Sequence, residues 1–227
     1  MYEEALHNAS NKVKTDDLMK NGRNLGRYVD QILSVGFKIG IKTNIKFLVL
    51  QIHYRHADAF NHGSVDNSGL TLTMTEQSQP FLAGIHLLRT LPVIPPYMKY
   101  YSEQFACEYQ NSVTIYPFAF RIYSNGLGRD ISSYRIRNGR WIILGKGNPM
   151  LPQAFYPIAN DNIDIQYGDI LAVQCSYDSS GRDSINYDGL TEKDECRFYM
   201  MYWVDGSHAY YSTRCVPIDA RDLAFPV

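Results

Sequence analysis

The sequence lacks an excess of charge of either sign, and it lacks any long apolar run. Its 22 Lys and Arg residues are balanced by 23 Asp and Glu residues, so there is no basic field to attract nucleic acid or anionic lipid. The longest apolar stretch, FLVLQI, is far shorter than the roughly 20 residues that span a bilayer. Both absences argue against nucleic acid and against a membrane span.

Targeting and metal-binding motifs are also scarce. Met1 is followed by Tyr-Glu-Glu instead of a basic and then an apolar segment, so no signal peptide is visible. The four cysteines form no C-x-x-C pair, which argues against a zinc knuckle or a dithiol redox motif. They are either four buried thiols or two disulfides, and the residues alone leave both alternatives open.

Short β-strand patterns, in contrast, are abundant. The chain contains 18 tyrosines, and a chain rich in tyrosine and β-branched residues favours sheets. In the stretch 116–158, FAFRIY, SYRIR and RWIIL read as strands, and Asn138-Gly139 predicts a hairpin between the last two. Further predicted strands are FKIGI, KFLVLQIHY, LTLTMT, VTIYPFAFRIY, IDIQY, DILAVQCSY, CRFYMMYWV and HAYYSTRC, and FLAGIHLLRT opens a second unit. This spacing predicts an all-β antiparallel sandwich.

Residues 1–36 differ from the rest, since they are charged and rich in helix formers. Five apolar side chains there share one face at helical spacing: Leu25, Tyr28, Val29, Ile32 and Leu33. We expect a short helical leader or surface helix.

A family resemblance runs from about Phe37 to Cys215. The segments FAFRI, YRIRNGRW, NPMLPQAFYP, GDILAVQC and FYMMY resemble peptidylglycine α-hydroxylating monooxygenases, which belong with dopamine β-hydroxylase to the copper type II, ascorbate-dependent monooxygenases. The resemblance implies jelly-roll-like sandwiches, with 37–78 as the remnant of the first and 79–227 as a complete second sandwich. Such a remnant would expose strand edges, which residues 1–36, a partner chain or a second copy would have to cover.

The resemblance also implies disulfides and a compartment. Family members pair the first cysteine with the last and the two middle ones with each other, so we expect Cys107–Cys215 and Cys175–Cys196. Two disulfides imply an oxidising environment, and therefore the secretory pathway or the extracellular space.

The implied reaction is hydroxylation of peptides that end in glycine, in the pathway of C-terminal amidation, with two copper ions and ascorbate as reductant. The three ligand positions of the oxygen-binding copper are occupied here by Tyr123, Asn125 and Glu195. These oxygen donors suit a Cu(I) site poorly compared with imidazole and thioether. The neighbouring Met200 and Met201 are expected to be core residues.

The electron-relay copper is represented by one matching histidine, His53. The family's adjacent His-His pair has no counterpart, because this chain contains no such dipeptide. His53, His56 and His62 could form an adventitious metal site, but the polar surroundings favour a solvated loop. His86 is expected on a strand face, and His208 replaces an aromatic residue of the family.

The peptide-binding positions are better matched. Arg121 corresponds to the arginine that grips the substrate carboxylate, Tyr199 to an assisting tyrosine, and Arg197 replaces a nearby asparagine. The alternative for Arg121 is an ordinary arginine at a sheet surface. The acidic residues of 188–195 are expected to form a solvated loop, not an acid/base pair.

The sequence thus indicates a peptidylglycine monooxygenase-like protein whose catalysis is impaired by replaced copper ligands. The alternative is a non-enzymatic pseudoenzyme that binds peptides, or an oligomeric structural module. Removal of the redox metal would remove the group that activates oxygen, so whether the chain is an enzyme stays open at this stage.

Overall fold

The fold is built almost entirely of β-strands. The structure is a computed structural model that describes residues 35–40, 43, 45–50, 58–63, 65–67, 69, 71–151, 153–159, 162–185, 194–208 and 214–226. Its strands are β1 (Val35–Gly36), β2 (Phe81–Thr90), β3 (Tyr101–Tyr109), β4 (Tyr116–Ser124), β5 (Gly128–Arg137), β6 (Arg140–Gly147), β7 (Tyr156–Pro157), β8 (Ile170–Tyr177), β9 (Cys196–Asp205) and β10 (Cys215–Ile218). Two short 3₁₀ helices cover Asp58–His62 and Ala220–Asp222.

The strands form two sheets that face each other. The first sheet has the order β1-β2-β9-β4-β7, and the second has the order β10-β3-β8-β5-β6. All pairs are antiparallel except that of β1 with β2. The predicted antiparallel β-sandwich is therefore confirmed.

The core lies between the sheets because each strand turns alternate apolar side chains inward. Phe120 of β4 stacks on Phe198 of β9 with ring centroids 5.5 Å apart, and both rings are buried. A side chain at Gly145 of β6 would meet the Phe120 ring at 2.6 Å, so this position admits no Cβ without displacing that ring. Met200 is buried in this core, as expected, whereas Met201 on the opposite face of β9 is only half-buried.

Two disulfides fix the strands, with the pairing that the resemblance implied. Cys175 of β8 bonds Cys196 of β9 and so ties one sheet to the other, with Cα atoms 6.2 Å apart. Cys107 of β3 bonds Cys215 of β10 within one sheet, across a sequence separation of 108 residues. The expected cross-links are confirmed, and the described cysteines include no free thiol.

The predicted hairpin is also confirmed. Arg137 of β5 pairs with Arg140 of β6, and the two residues between them have positive φ angles, 52° at Asn138 and 73° at Gly139. Asn and Gly adopt this conformation at low cost, which is the reason that the local sequence predicts the turn.

Three predicted strands in 37–75 are wrong where the structure describes them. Residues 37–39, 45–50 and 71–75 have no strand pairing, and large side chains there face solvent, among them Phe47 (84% exposed) and Met74 (82% exposed). An alternating pattern forms a strand only if a neighbouring strand accepts its backbone hydrogen bonds, and none of the described strands pairs with these segments. The rest of these predicted strands, at residue 41 and in 51–57, lies outside the described residues. The helix predicted around residues 25–33 lies outside them as well. At the end of the predicted leader, Val35–Gly36 form a strand.

Two further differences concern the second unit. Sequence reasoning missed β3, whose polar Glu103, Gln104 and Glu108 obscure its pattern but which pairs with β8 and β10 on its two edges. The predicted strand IDIQY is wrong, since it contributes only an isolated bridge between Ile165 and Ile115. Most of HAYYSTRC lies outside the described residues, and the strand there begins at Cys215.

Among the described residues, no helix has the length and hydropathy needed to cross a bilayer.

Candidate functional site

The candidate site lies on the outer face of the first sheet, where β4, β9 and β2 run side by side. In the register of β4 with β9, Arg121 is opposite Tyr199 and Tyr123 is opposite Arg197. On the other edge of β9, Arg89 of β2 is also opposite Arg197. Because residues two apart on a strand share a face, these five side chains gather on one surface.

Arg121 is the most deeply placed of these residues, with 3% of its surface exposed. Its Nε donates a hydrogen bond of 3.2 Å to the Gln153 side-chain oxygen, and its guanidinium carbon lies 5.5 Å from the centroid of the Tyr199 ring. Gln153 in turn donates to the backbone oxygen of Pro149 at 3.0 Å. The alternative for Arg121, an ordinary arginine at a sheet surface, does not match its burial, because Gln153 in the segment before β7 lies against its guanidinium group.

Glu195 forms the centre of an ion-pair network on the same surface. Its carboxylate accepts a hydrogen bond of 3.2 Å from Arg89 and forms an ion pair with Arg197. Arg197 also donates to the Tyr199 hydroxyl at 3.1 Å. Burial alone would lower the pKa of Arg197, but hydrogen bonds to Glu195 and Tyr199 outweigh it, so the pKa is raised and the charge is held.

Tyr123 and Asn125, at the other two positions for which the resemblance implies copper ligands, also contact protein groups. The Tyr123 ring lies under the Arg197 guanidinium, 5.1 Å from its carbon. The Asn125 amide donates a hydrogen bond of 2.5 Å to Asp194, and Asp194 forms a buried ion pair of 2.9 Å with Arg182. The acidic residues at this end were expected to be solvated. That expectation is wrong for Asp194 and Glu195, which are both buried, whereas 186–193 lie outside the described residues.

These side chains do not fit a copper ion. Copper that cycles to Cu(I) prefers imidazole and thioether ligands, and the three positions offer a phenol, an amide and a carboxylate. The carboxylate is neutralised by two guanidinium groups, and one of these, Arg197, also covers the phenol ring. A cation placed there would meet fixed positive charge instead of a ligand set.

His86 lies elsewhere, on the core face of β2, as expected for a strand residue. A nitrogen of its ring lies within 4.8 Å of the sulfurs of Cys107 and Cys215. This group is no metal site, because the two sulfurs form a disulfide and a cysteine ligates a metal as its thiolate. Burial lowers the pKa of His86 from 6.5 to about 4, so its imidazole is neutral at pH 7.

The remaining histidines fall outside any described cluster. His53 and His56 lie outside the described residues, so the predicted relay-copper ligand has no structural account. His62 ends an exposed 3₁₀ helix, and His208 is exposed in the turn after β9. Sequence reasoning missed Arg89, Gln153 and Arg182, and no motif could have found them, because each acquires its role through a partner distant in sequence.

Comparison with known proteins places the chain in a family. The model of the copper type II ascorbate-dependent monooxygenase C-terminal domain matches residues 81–221. The chain is 41% identical over 184 residues to peptidyl-glycine alpha-amidating monooxygenase B of Xenopus laevis, covering 80% of this chain and 21% of the relative. It is 39% identical over 194 residues to peptidyl-glycine alpha-amidating monooxygenase of Mus musculus, covering 83% of this chain and 19% of the relative.

More distant relatives carry a different name. DBH-like monooxygenase protein 1 of Homo sapiens is 24% identical over 185 residues, covering 74% of this chain and 30% of the relative. The chain spans about a fifth of the length of the amidating monooxygenases that it matches. On the family match and these identities, the chain belongs to the copper type II, ascorbate-dependent monooxygenase family.

Proposed function

We propose that this chain binds peptides by their C-terminal carboxylate, in the manner of a peptidylglycine monooxygenase, without carrying out copper-dependent hydroxylation. The observation that carries the proposal is Arg121, a buried guanidinium placed on the Tyr199 ring and bonded to the neutral Gln153 amide. A carboxylate is a stronger acceptor for a guanidinium than an amide oxygen is, so a peptide terminus can displace Gln153 from Arg121. Peptides ending in glycine are the ligands that the family suggests.

Loss of the oxidation step rests on the contacts of Tyr123, Asn125 and Glu195. Copper and ascorbate are the cofactor and reductant that membership of the family implies. At these three positions the described part of the chain offers a network of arginines instead of ligands for an oxygen-activating copper ion. No protein side chain supplies that redox chemistry by itself. Activity in peptide amidation is the second candidate, favoured by the 41% identity to an amidating monooxygenase.

Calorimetry with paired peptides tests the binding. A glycine-terminated peptide acid should bind the chain, and its amide should bind at least tenfold more weakly, because a charge-assisted hydrogen bond contributes about 1.5–3 kcal/mol. Arg121→Ala should abolish the difference. Arg221→Ala is the matched control. Arg221 is also an arginine paired with another side chain, but it is 89% exposed and its partner is Asp219, outside the candidate site. Equal affinity for acid and amide would overturn the proposal.

Copper titration separates the two candidates. A ligand that binds only the folded state raises its stability by RT ln(1 + [L]/Kd), which is about 2.7 kcal/mol at a hundredfold excess over Kd. We expect no copper-dependent rise in Tm for the chain. A rise together with ascorbate-dependent oxidation of a glycine-extended peptide would favour the monooxygenase.

Two further parts of the proposal concern context. The two disulfides support a secretory or extracellular location.

Exposed Phe47, Val49 and Met74 in the segment 37–78 support a partner chain or second copy that covers this remnant of a first sandwich. Light scattering of the purified chain over a concentration series tests for a second copy.

A further inference from the structure

Three arginines surround Tyr199 and Glu195 on the outer face of the first sheet. We propose that Arg197 and Arg89 form a second carboxylate subsite beside Arg121, so that the chain selects peptides with two carboxylates at their C-terminal end. This inference rests on the proposed function, since Arg121 would hold the terminal carboxylate. The second carboxylate comes from an acidic side chain in one of the last two residues.

The register sets the spacing of the two subsites. Arg121 is directly opposite Tyr199, and Arg197 is two residues from Tyr199 on the same strand. Such diagonal neighbours across an antiparallel pair are about 7–8 Å apart. Both guanidinium groups contact Tyr199, one over its ring and one at its hydroxyl. The two cationic groups therefore lie within reach of one acidic residue at a peptide end.

The charge balance favours an added anion. Among the ion pairs that the described residues form on this surface, two guanidinium groups, those of Arg89 and Arg197, share one carboxylate, that of Glu195. The side chains of Glu195 and Arg197 are only 11% and 14% exposed. In such a partly desolvated place charges are weakly screened, and a second carboxylate would relieve the repulsion among the arginines.

Unused donors point to the same conclusion. The Nε groups of Arg89 and Arg197 are buried and make no hydrogen bond to any described residue. Buried N–H groups are nearly always bonded in proteins, so each such donor calls for an acceptor. Arginine donors arranged as a fork match the two oxygens of a carboxylate, which is the acceptor that also neutralises their charge.

Matched peptides test the subsite with the chain as it exists. Four peptide acids share one body and end in Glu, Gln, Glu-Gly or Gln-Gly, and affinities are measured calorimetrically at low salt. We expect at least one Glu peptide to bind about tenfold or more tightly than its Gln partner, because a hydrogen bond between charged groups replaces a neutral one. If the peptide ending in Glu binds more tightly than the one ending in Gln, the second carboxylate belongs to the last residue. If the peptide ending in Glu-Gly binds more tightly than the one ending in Gln-Gly, it belongs to the penultimate residue.

Two variants give effects of opposite sign. Arg197→Asn should reduce the Glu-over-Gln ratio to about one. Glu195→Gln should raise the affinity for the Glu peptides several-fold, because it removes the internal carboxylate that competes for both arginines. A purely structural role of Glu195 predicts a loss of binding instead. Near-ultraviolet circular dichroism checks that each variant is folded, and the wild-type comparison needs no variant.

The outcomes separate the two proposals. Equal affinities for Glu and Gln in both pairs, with the acid form still preferred over the amide, would overturn the second subsite and leave the proposed function standing. Equal affinities for acid and amide would overturn both. A Glu preference that persists in Arg197→Asn would also overturn the assignment to Arg197.

Discussion

Arg89 donates a hydrogen bond of 3.2 Å to Glu195, although the two residues are 106 positions apart in the chain. The contact exists because β2 and β9 are neighbours, which brings Arg89 beside Arg197 and next to the residue that precedes β9. It places fixed positive charge at a position for which the family resemblance implies a copper ligand. The stability of this site and its capacity to bind a ligand both follow from this arrangement.

Removal of the Glu195 carboxylate should destabilise the fold. Glu195→Ala leaves two partly buried guanidinium groups without their counter-ion, and breaking a buried pair in this way costs about 3–5 kcal/mol. Asp219→Ala is the control, because its pair with Arg221 is on the surface, where such pairs contribute less than about 1 kcal/mol. Urea denaturation measures both. Equal effects of the two substitutions would contradict the central position of Glu195.

Gln153 should control access of a peptide to Arg121. Gln153→Glu places a carboxylate on Arg121, which then competes with the peptide terminus, and we expect roughly tenfold weaker binding of a peptide acid. Gln153→Ala removes the neutral acceptor without adding charge and should bind at least as tightly as the wild type. Calorimetry compares the three proteins. Unchanged affinity in Gln153→Glu would show that the peptide does not reach Arg121.

His86 should make the fold less stable as the pH falls from 6.5 towards 4. Burial lowers the pKa of His86 from 6.5 to about 4, so within this window the unfolded chain binds a proton that the folded chain does not. Stability then decreases with falling pH, by about 3 kcal/mol over the whole interval. His86→Gln should remove this contribution. The check is the free energy of unfolding in urea at several pH values, and identical pH profiles for both proteins would refute the prediction.

The two disulfides should differ in their contribution to stability. A cross-link limits the unfolded chain more when it closes a longer loop, and the separations are 108 residues for Cys107–Cys215 and 21 for Cys175–Cys196. The loop-entropy relation gives about 5 kcal/mol and about 3 kcal/mol, respectively. Paired Cys→Ala variants measured by urea denaturation test this order. A larger loss from the shorter loop would point to strand packing between the sheets as the main effect.

Features encoded by neighbouring residues could be predicted well. The Asn138-Gly139 hairpin requires only two residues that accept positive φ, and the structure has it. The alternating patterns of β4, β5 and β8 also led to strands. The same reasoning failed for KFLVLQ and LTLTMT, because an alternating pattern does not specify whether a neighbouring strand is present to pair with it.

The site was only partly predictable. The resemblance drew attention to Arg121, Tyr199, Tyr123, Asn125 and Glu195, and strand register brings Arg121 to Tyr199 and Tyr123 to Arg197. The burial of Arg121 under Gln153 and the pairing of Asn125 with Asp194 could not be foreseen, since both involve side chains from distant loops.

The sequence by itself determined the antiparallel β architecture, through side-chain alternation and turn residues that act over a few positions. Only the tertiary structure decided which charges meet at the candidate site. The interaction of Glu195 with Arg89 and Arg197 depends on the order of strands in a sheet, and that order is set by the packing of the whole core.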